Sequence, residues 1–160
     1  MTDWLDHLNR EVLLTYDTRL VGGFREPFYK ANASDSLAEI QFTRDYERSA
    51  LHELAHWCIA GPARRRMDDY GYWYEPDGRT GKQQARFFEV EAKPQALEKL
   101  FCVALDLHFE VSVDNLGNTG IDGIDGFKTR VDRQYALYTA TGLPERASEI
   151  YGCLSNWKNS

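Results

Sequence analysis

The sequence predicts an α+β fold in a single domain spanning residues 1–160, with a small sheet packed on helices. Three observations support that class. Apolar residues recur with helical spacing in Leu51, Leu54, Ala55, Cys58 and Ile59, and again in Ala96, Leu97, Leu100, Phe101, Ala104 and Leu107. Ala38, Ile40 and Phe42 alternate with Glu39 and Gln41, the period of a half-buried strand. The length suits one hydrophobic core, and no internal repeat or linker divides the chain.

Taken in order, residues 2–16 predict a helix with Thr2 as its cap and Trp4, Leu5, Leu8, Val12 and Tyr16 on one face. His7 lies off that stripe, as a solvated residue does. Short strands are expected at Arg19–Val21 and Phe28–Lys30, broken by Gly22-Gly23 and Pro27. A polar loop, Asn32–Ser36, precedes the alternating strand. That strand leads into a helix capped by Thr43 or Asp45 and stopped by Gly61-Pro62. Arg64-Arg65-Arg66 and Asp68-Asp69 read as a solvated surface segment. Tyr70, Tyr72, Trp73 and Tyr74 then crowd together before a Pro76-Asp77-Gly78 turn, matching neither a clean helix nor a clean strand.

Residues 80–86 are polar and expected as loop. A second strong helix is expected over Val90–Leu107, with Pro94 in its first turn, where backbone N–H groups lack intrahelical partners. A short strand at His108–Val113 and a loop at Asp114–Gly126 follow; the loop lacks the spacing and closing Glu of a calcium site. Phe127, Val131, Tyr135 and Tyr138 mark one more helix. Gly142-Leu143-Pro144 breaks it, and Ala147, Ile150, Tyr151, Leu154 and Trp157 mark the last.

Composition narrows the function classes. A net charge of −6 argues against a nucleic-acid partner bound through phosphates, and suits a cationic substrate such as a lysine side chain. No stretch approaches the ~20 apolar residues of a membrane span. The acidic start, Met1 to Asp6, lacks the basic and apolar regions of a signal peptide, so a cytoplasmic location is expected. Cys58, Cys102 and Cys153 are odd in number and each lies among apolar helical positions, which suits buried reduced thiols.

Chemistry concentrates in His52-Glu53-Leu54-Ala55-His56. Histidines four residues apart lie one turn apart on one helix face, so both imidazoles reach one metal ion. The bland alternative is a surface helix with two solvated histidines. It is opposed by the apolar stripe beside them, which must be buried. A strand running directly into such a helix matches a zincin-like architecture. A third ligand must come from elsewhere. His108 follows a helix end and suits a cap for carbonyls better than a ligand. Glu89 and Glu91 are the better carboxylates. Glu91 would start a helix, where the dipole and free amides favour an ionised carboxylate. Glu91-Ala92 with Ala96 resembles the helix opening that supplies a glutamate ligand in minimal metalloproteases.

Two histidines and a carboxylate suit two chemistries. With zinc they polarise water for hydrolysis, with Glu53 as general base. With iron(II) they leave positions open for dioxygen. A third reading, a metal that only cross-links two helices, is opposed because structural zinc usually closes four protein ligands and three are at hand.

Ser49–Gly61, Gly71-Tyr72-Trp73-Tyr74 with Pro76-Asp77-Gly78-Arg79, Val90-Glu91 with Lys93-Pro94-Gln95-Ala96-Leu97, and Leu143-Pro144-Glu145-Arg146 resemble the bacterial elongation factor P hydroxylase family. The resemblance implies a metal-dependent, oxygen-using protein-lysine hydroxylase, a monooxygenase-type oxidoreductase. Its protein substrate would be elongation factor P bearing a lysine already extended by a β-lysyl group. It implies His52, His56 and Glu91 as ligands to a divalent metal, expected as Fe(II) with zinc as the substitute in a preparation, and molecular oxygen as co-substrate. Glu89 is the fallback carboxylate. Glu53 would be catalytic or would hold a ligand in place. For such a substrate Tyr72, Trp73 and Tyr74 offer π faces, Asp77 a carboxylate for an ammonium, and Arg79 completes the substrate-binding set. No usual 2-oxoglutarate signature accompanies them. The zinc metallopeptidase remains the alternative.

Overall fold

The computed structural model describes residues 2–71, 81–111 and 120–160. Helix α1 (Thr2–Glu11) and a tight helical turn (Leu13–Tyr16) precede strands β1 (Thr18–Phe24), β2 (Phe28–Lys30) and β3 (Ala38–Thr43). Helix α2 (Glu47–Ile59), two tight turns (Arg64–Arg66 and Asp68–Gly71) and helices α3 (Gly81–Leu105), α4 (Gly120–Thr141) and α5 (Glu145–Asn159) complete the order. This is the expected α+β class.

β3 is the centre of the sheet. β1 lies parallel to it on one side, with Leu20 opposite Ile40, and β2 lies antiparallel on the other, with Tyr29 opposite Ile40. The predicted alternation is real: Ala38, Ile40 and Phe42 are buried, while the residues between them are half-exposed. β1 runs through Gly22-Gly23 instead of stopping there. Gly23 takes φ +99°, and the register slips between Val21 and Phe24, which makes the pair a bulge within the strand.

α2 follows β3 almost at once and packs against β3 and α3. Its apolar stripe, including Leu51, Leu54, Ala55 and Cys58, is buried with Trp57 in the main core. The expected cap differs: Tyr46 occupies the cap position without a side-chain bond, and Ser49 Oγ accepts from the Thr43 N–H at 3.0 Å. The first helix also ends earlier than residue 16. Asp17, in the left-handed region at φ 51°, turns the chain into β1.

The largest departure concerns α3. It begins at Gly81, so residues 81–86 are helix and Pro94 is interior. A proline there gives up the hydrogen bond to the Val90 carbonyl, at a cost of roughly 3 kcal/mol. Burial of Ala96, Leu97, Leu100, Phe101 and Cys102 from the same helix outweighs it. Residues 107–111 are not strand. The carbonyls of His108 and Glu110 accept instead from Arg48 of α2, at 3.4 and 2.7 Å. Residues 112–119, including most of the expected strand end and loop, lie outside the described residues, and α4 already starts at Gly120. All three cysteines are free and buried, as expected.

Gly22 tests the sheet's packing. A Cβ there would meet the Phe42 ring at 2.5 Å and the Arg44 carbonyl at 2.6 Å. Gly22→Ala is expected to cost ~1–3 kcal/mol in urea unfolding. Gly61→Ala, with nothing within 4 Å of the added carbon, is the control and should fall within about 0.5 kcal/mol of the parent.

Candidate metal centre

The helical period puts His52 and His56 on one edge of α2, and Glu91, Gln95 and Glu98 on the facing stripe of α3. Packing the two helices brings the groups together. His56 Nε2 is 3.1 Å from His52 Nε2 and 3.1 Å from Glu91 Oε1, and His52 Nε2 is 3.7 Å from Glu91 Oε2. One donor atom from each of His52, His56 and Glu91 lies within 4.8 Å of the others, the one such group among the described residues.

These three donors fit a divalent cation. Two imidazole nitrogens facing each other at 3.1 Å cannot both present bare lone pairs, so either a proton or a cation belongs between them. Glu91 Oε2 is buried without a hydrogen-bond partner, a costly state for a carboxylate oxygen and one that metal ligation relieves.

Glu91 therefore owes its position to tertiary packing. It lies well inside α3, so the expected help from a helix N-terminus is absent. Burial pushes its carboxyl up. The His56 charge and hydrogen bond, then His52 and a hydrogen bond from Gln95, more than reverse that and leave it at about 2. Burial likewise pushes His52 down, but the Glu98 hydrogen bond and the charges of Glu91, Glu98 and Glu53 carry it up to about 9.

Glu53 is half-buried beside the two histidines and makes no hydrogen bond or ion pair among the described residues. Burial raises its carboxyl; His56 and His52 oppose the shift. Asp69 and Tyr70 stand near it and carry a strained turn. Asp69, Tyr70 and Gly71 have φ of 51°, 60° and 74°, consecutive left-handed residues held by the sheet edge. Asp68 accepts from the Ala31 N–H at 2.9 Å, Asp69 from the Tyr29 N–H at 3.3 Å, and Tyr70 stacks on Tyr29 at 4.3 Å.

The segment after this turn is similar to a known family, and the similarity extends along the chain. The profile of the elongation factor P hydroxylase family matches residues 8–160. The chain belongs to that family. A relative from Haemophilus influenzae, the elongation factor P lysine hydroxylase, is 47% identical over 137 residues, covering 84% of this chain and 76% of its own. The family is one of hydroxylases, so membership makes the chain an enzyme and removes the support for a metallopeptidase or an inert metal cross-link.

Of the residues singled out in the sequence, His52, His56 and Glu91 come together and Glu53 adjoins them. Tyr72, Trp73, Tyr74, Asp77 and Arg79 lie outside the described residues, as does the side chain of Glu89. His108 is no cap: it is exposed and pairs with Glu110 at 3.2 Å. The end of α3 is closed by the backbone, with Leu107 N–H donating to the Cys102 carbonyl at 2.8 Å and Asp106 at φ 58°. Sequence reasoning missed Arg48, Gln95 and Glu98. The signal is present, because Glu91, Gln95 and Glu98 share one helix face, but the partners they meet on α2 are not legible from spacing.

In the metal-free protein these shifts fix the sign of two pH effects. His52 is raised from 6.5 to about 9, so its stabilisation is whole below pH 6.5 and lost as pH rises to about 9. Glu91 is lowered from 4.5 to about 2, so its stabilisation is whole above pH 4.5 and lost as pH falls to about 2. Urea melts of metal-free protein should show both declines. Because a metal displaces the His52 proton, affinity should also rise with pH, by about tenfold per unit, up to about pH 9. A flat affinity above pH 6.5 would contradict the raised proton affinity of His52.

Proposed function

We propose that the chain hydroxylates the lysine of elongation factor P that already carries a β-lysyl extension, in the cytoplasm, using Fe(II) and dioxygen. The observation that carries the metal site is the convergence of His52 Nε2, His56 Nε2 and the Glu91 carboxylate, with Glu91 Oε2 otherwise unsatisfied. The substrate class rests on family membership and on the relative's name. Iron(II) held by two histidines and one carboxylate supplies oxygen activation, because that set leaves coordination positions open.

The chain's own residues bind, orient and move protons. His52 and His56 present Nε2 from consecutive turns of α2, so their spacing is set by helix geometry. Glu91 supplies the negative charge that lowers the net charge of the centre. Glu53 makes no ion pair among the described residues and lies next to the ligands, so it would hold a proton at the reacting site. The substrate side chain is long and doubly cationic. We assign its contacts to the segment after the strained turn: Tyr72, Trp73 and Tyr74 as π faces, Asp77 as an ammonium partner, and Arg79 as a further substrate contact. An overall charge of −6 favours the approach of such a cation.

The deciding experiment loads Fe(II) anaerobically, supplies β-lysylated elongation factor P with a two-electron reductant such as ascorbate and then oxygen, whose second atom leaves as water, and weighs the modified peptide. A gain of one oxygen atom is expected; an unchanged mass with full metal would refute the reading. His52→Ala, His56→Ala and Glu91→Ala should each lose metal and turnover while retaining the far-ultraviolet spectrum of the fold. Glu53→Gln should keep the metal and a measurable rate of hydroxylation. Peptide cleavage by the parent protein that vanishes in this variant would restore the hydrolase.

A further inference from the structure

Behind His52 stands a chain of hydrogen bonds with a fixed direction. Arg48, one turn before His52 on α2, donates to Glu98 Oε2 from Nε at 2.7 Å and lies 2.6 Å from it through Nη2. The other carboxylate oxygen, Oε1, is 2.7 Å from His52 Nδ1. Glu98 is 1% exposed and has no other hydrogen bond among the described residues. Arg48 is itself anchored: it donates to the carbonyls of Glu110 and His108, and its guanidinium lies 4.9 Å over the Phe109 ring.

We infer that Glu98 and Arg48 are positioning residues that fix the tautomer of His52, keeping a proton on Nδ1 and leaving Nε2 for the metal. A carboxylate facing an imidazole accepts, so Nδ1 must donate. Arginine has donors and no acceptor, so it locks the opposite end of Glu98 as an acceptor too. Only a group with two acceptor ends satisfies both neighbours. The inference rests on the metal site proposed above, but its tautomer can be read without metal.

This arrangement makes a prediction that simple loss of a contact does not. In Glu98→Gln the side chain keeps its shape but has one acceptor end and one donor end. Arg48 claims the amide oxygen, so the NH2 faces His52 Nδ1 and forces it to accept. The ring proton then moves to Nε2, the atom aimed at Glu91 and His56. Removing Arg48 as well, in Arg48→Met/Glu98→Gln, frees the amide to turn its oxygen toward Nδ1. The NH2 then faces the side vacated by the guanidinium, whose side chain is one-third exposed in the parent. The double variant should therefore bind metal better than the single one.

The test is zinc affinity by chelator competition on the full chain, with the melting temperature of the metal-free protein alongside. Imidazole nitrogen NMR of the metal-free protein, at a pH where the ring holds one proton, reads the tautomer. Glu98→Gln should weaken zinc by about 10–100-fold, with His52 protonated on Nε2. The double variant should regain at least about tenfold of that loss and return to the Nδ1–H form. Arg48→Met alone leaves the carboxylate in place and should retain Nδ1–H, which keeps the inference testable if Glu98→Gln does not fold. Two outcomes overturn it: a double variant no tighter than Glu98→Gln, or His52 protonated on Nδ1 in Glu98→Gln. A parent protein whose zinc binding ignores His56→Ala would instead overturn the metal site and leave the tautomer result standing.

Discussion

The packing of α2 on α3 sets the terms for the rest of the structure, because it buries ionisable groups that neither helix could bury alone. Glu91 and Glu98 are both at least nine-tenths buried on α3. An isolated buried carboxylate costs several kcal/mol, so each must meet a partner of opposite charge or a strong donor. His52 and His56 on α2 provide those partners, and Arg48 provides the last. The fold and the site are one problem of charge compensation. The apolar stripe of α2 secures the helix in the core, and the adjoining edge carries the chemistry.

The sheet serves that packing from the other side. β3 sits at the centre of the sheet and leads into α2 with only Arg44, Asp45 and Tyr46 between, which fixes where the histidine helix begins. The edge strand β2 and the residue after it hold the turn at Asp68–Gly71 through the N–H groups of Tyr29 and Ala31 and the Tyr29–Tyr70 stack. Consecutive left-handed residues cost of order 1–3 kcal/mol each for non-glycines. Such a turn persists only where its surroundings over-determine it, and here it holds Asp69 and Tyr70 near Glu53.

A histidine pair, a glutamate and a neighbouring carboxylate do not by themselves distinguish hydrolysis from oxygen chemistry. The donors are the same, and a carboxylate beside them serves either as general base or as proton holder. What separates the reactions lies in the metal and in what the remaining sites admit. Membership in the hydroxylase family therefore carries the reaction class, while the geometry accounts for how this chain would support it.

The sequence by itself determined the features that residue spacing alone settles. The four-residue spacing of His52 and His56 makes a shared metal face in any helix, and the alternation from Ala38 to Phe42 makes a half-buried strand in any sheet. Gly142-Leu143-Pro144 ends a helix wherever it occurs. Glu91 stands out in the sequence because its surroundings match a family, while its place inside α3, away from the helix N-terminus, comes from packing. Tertiary structure decided the features that depend on partners far along the chain. Pro94 lies inside α3 because burial of the helix outweighs its local penalty, and local propensity has no access to that sum. His108 and Glu110 give their carbonyls to Arg48, which lies about 60 positions earlier, so the alternating pattern here never becomes a strand. Glu98 reads as an ordinary helix residue until α2 brings His52 to 2.7 Å from it. Buried charge is compensated across space, and one-dimensional spacing records only half of each pair.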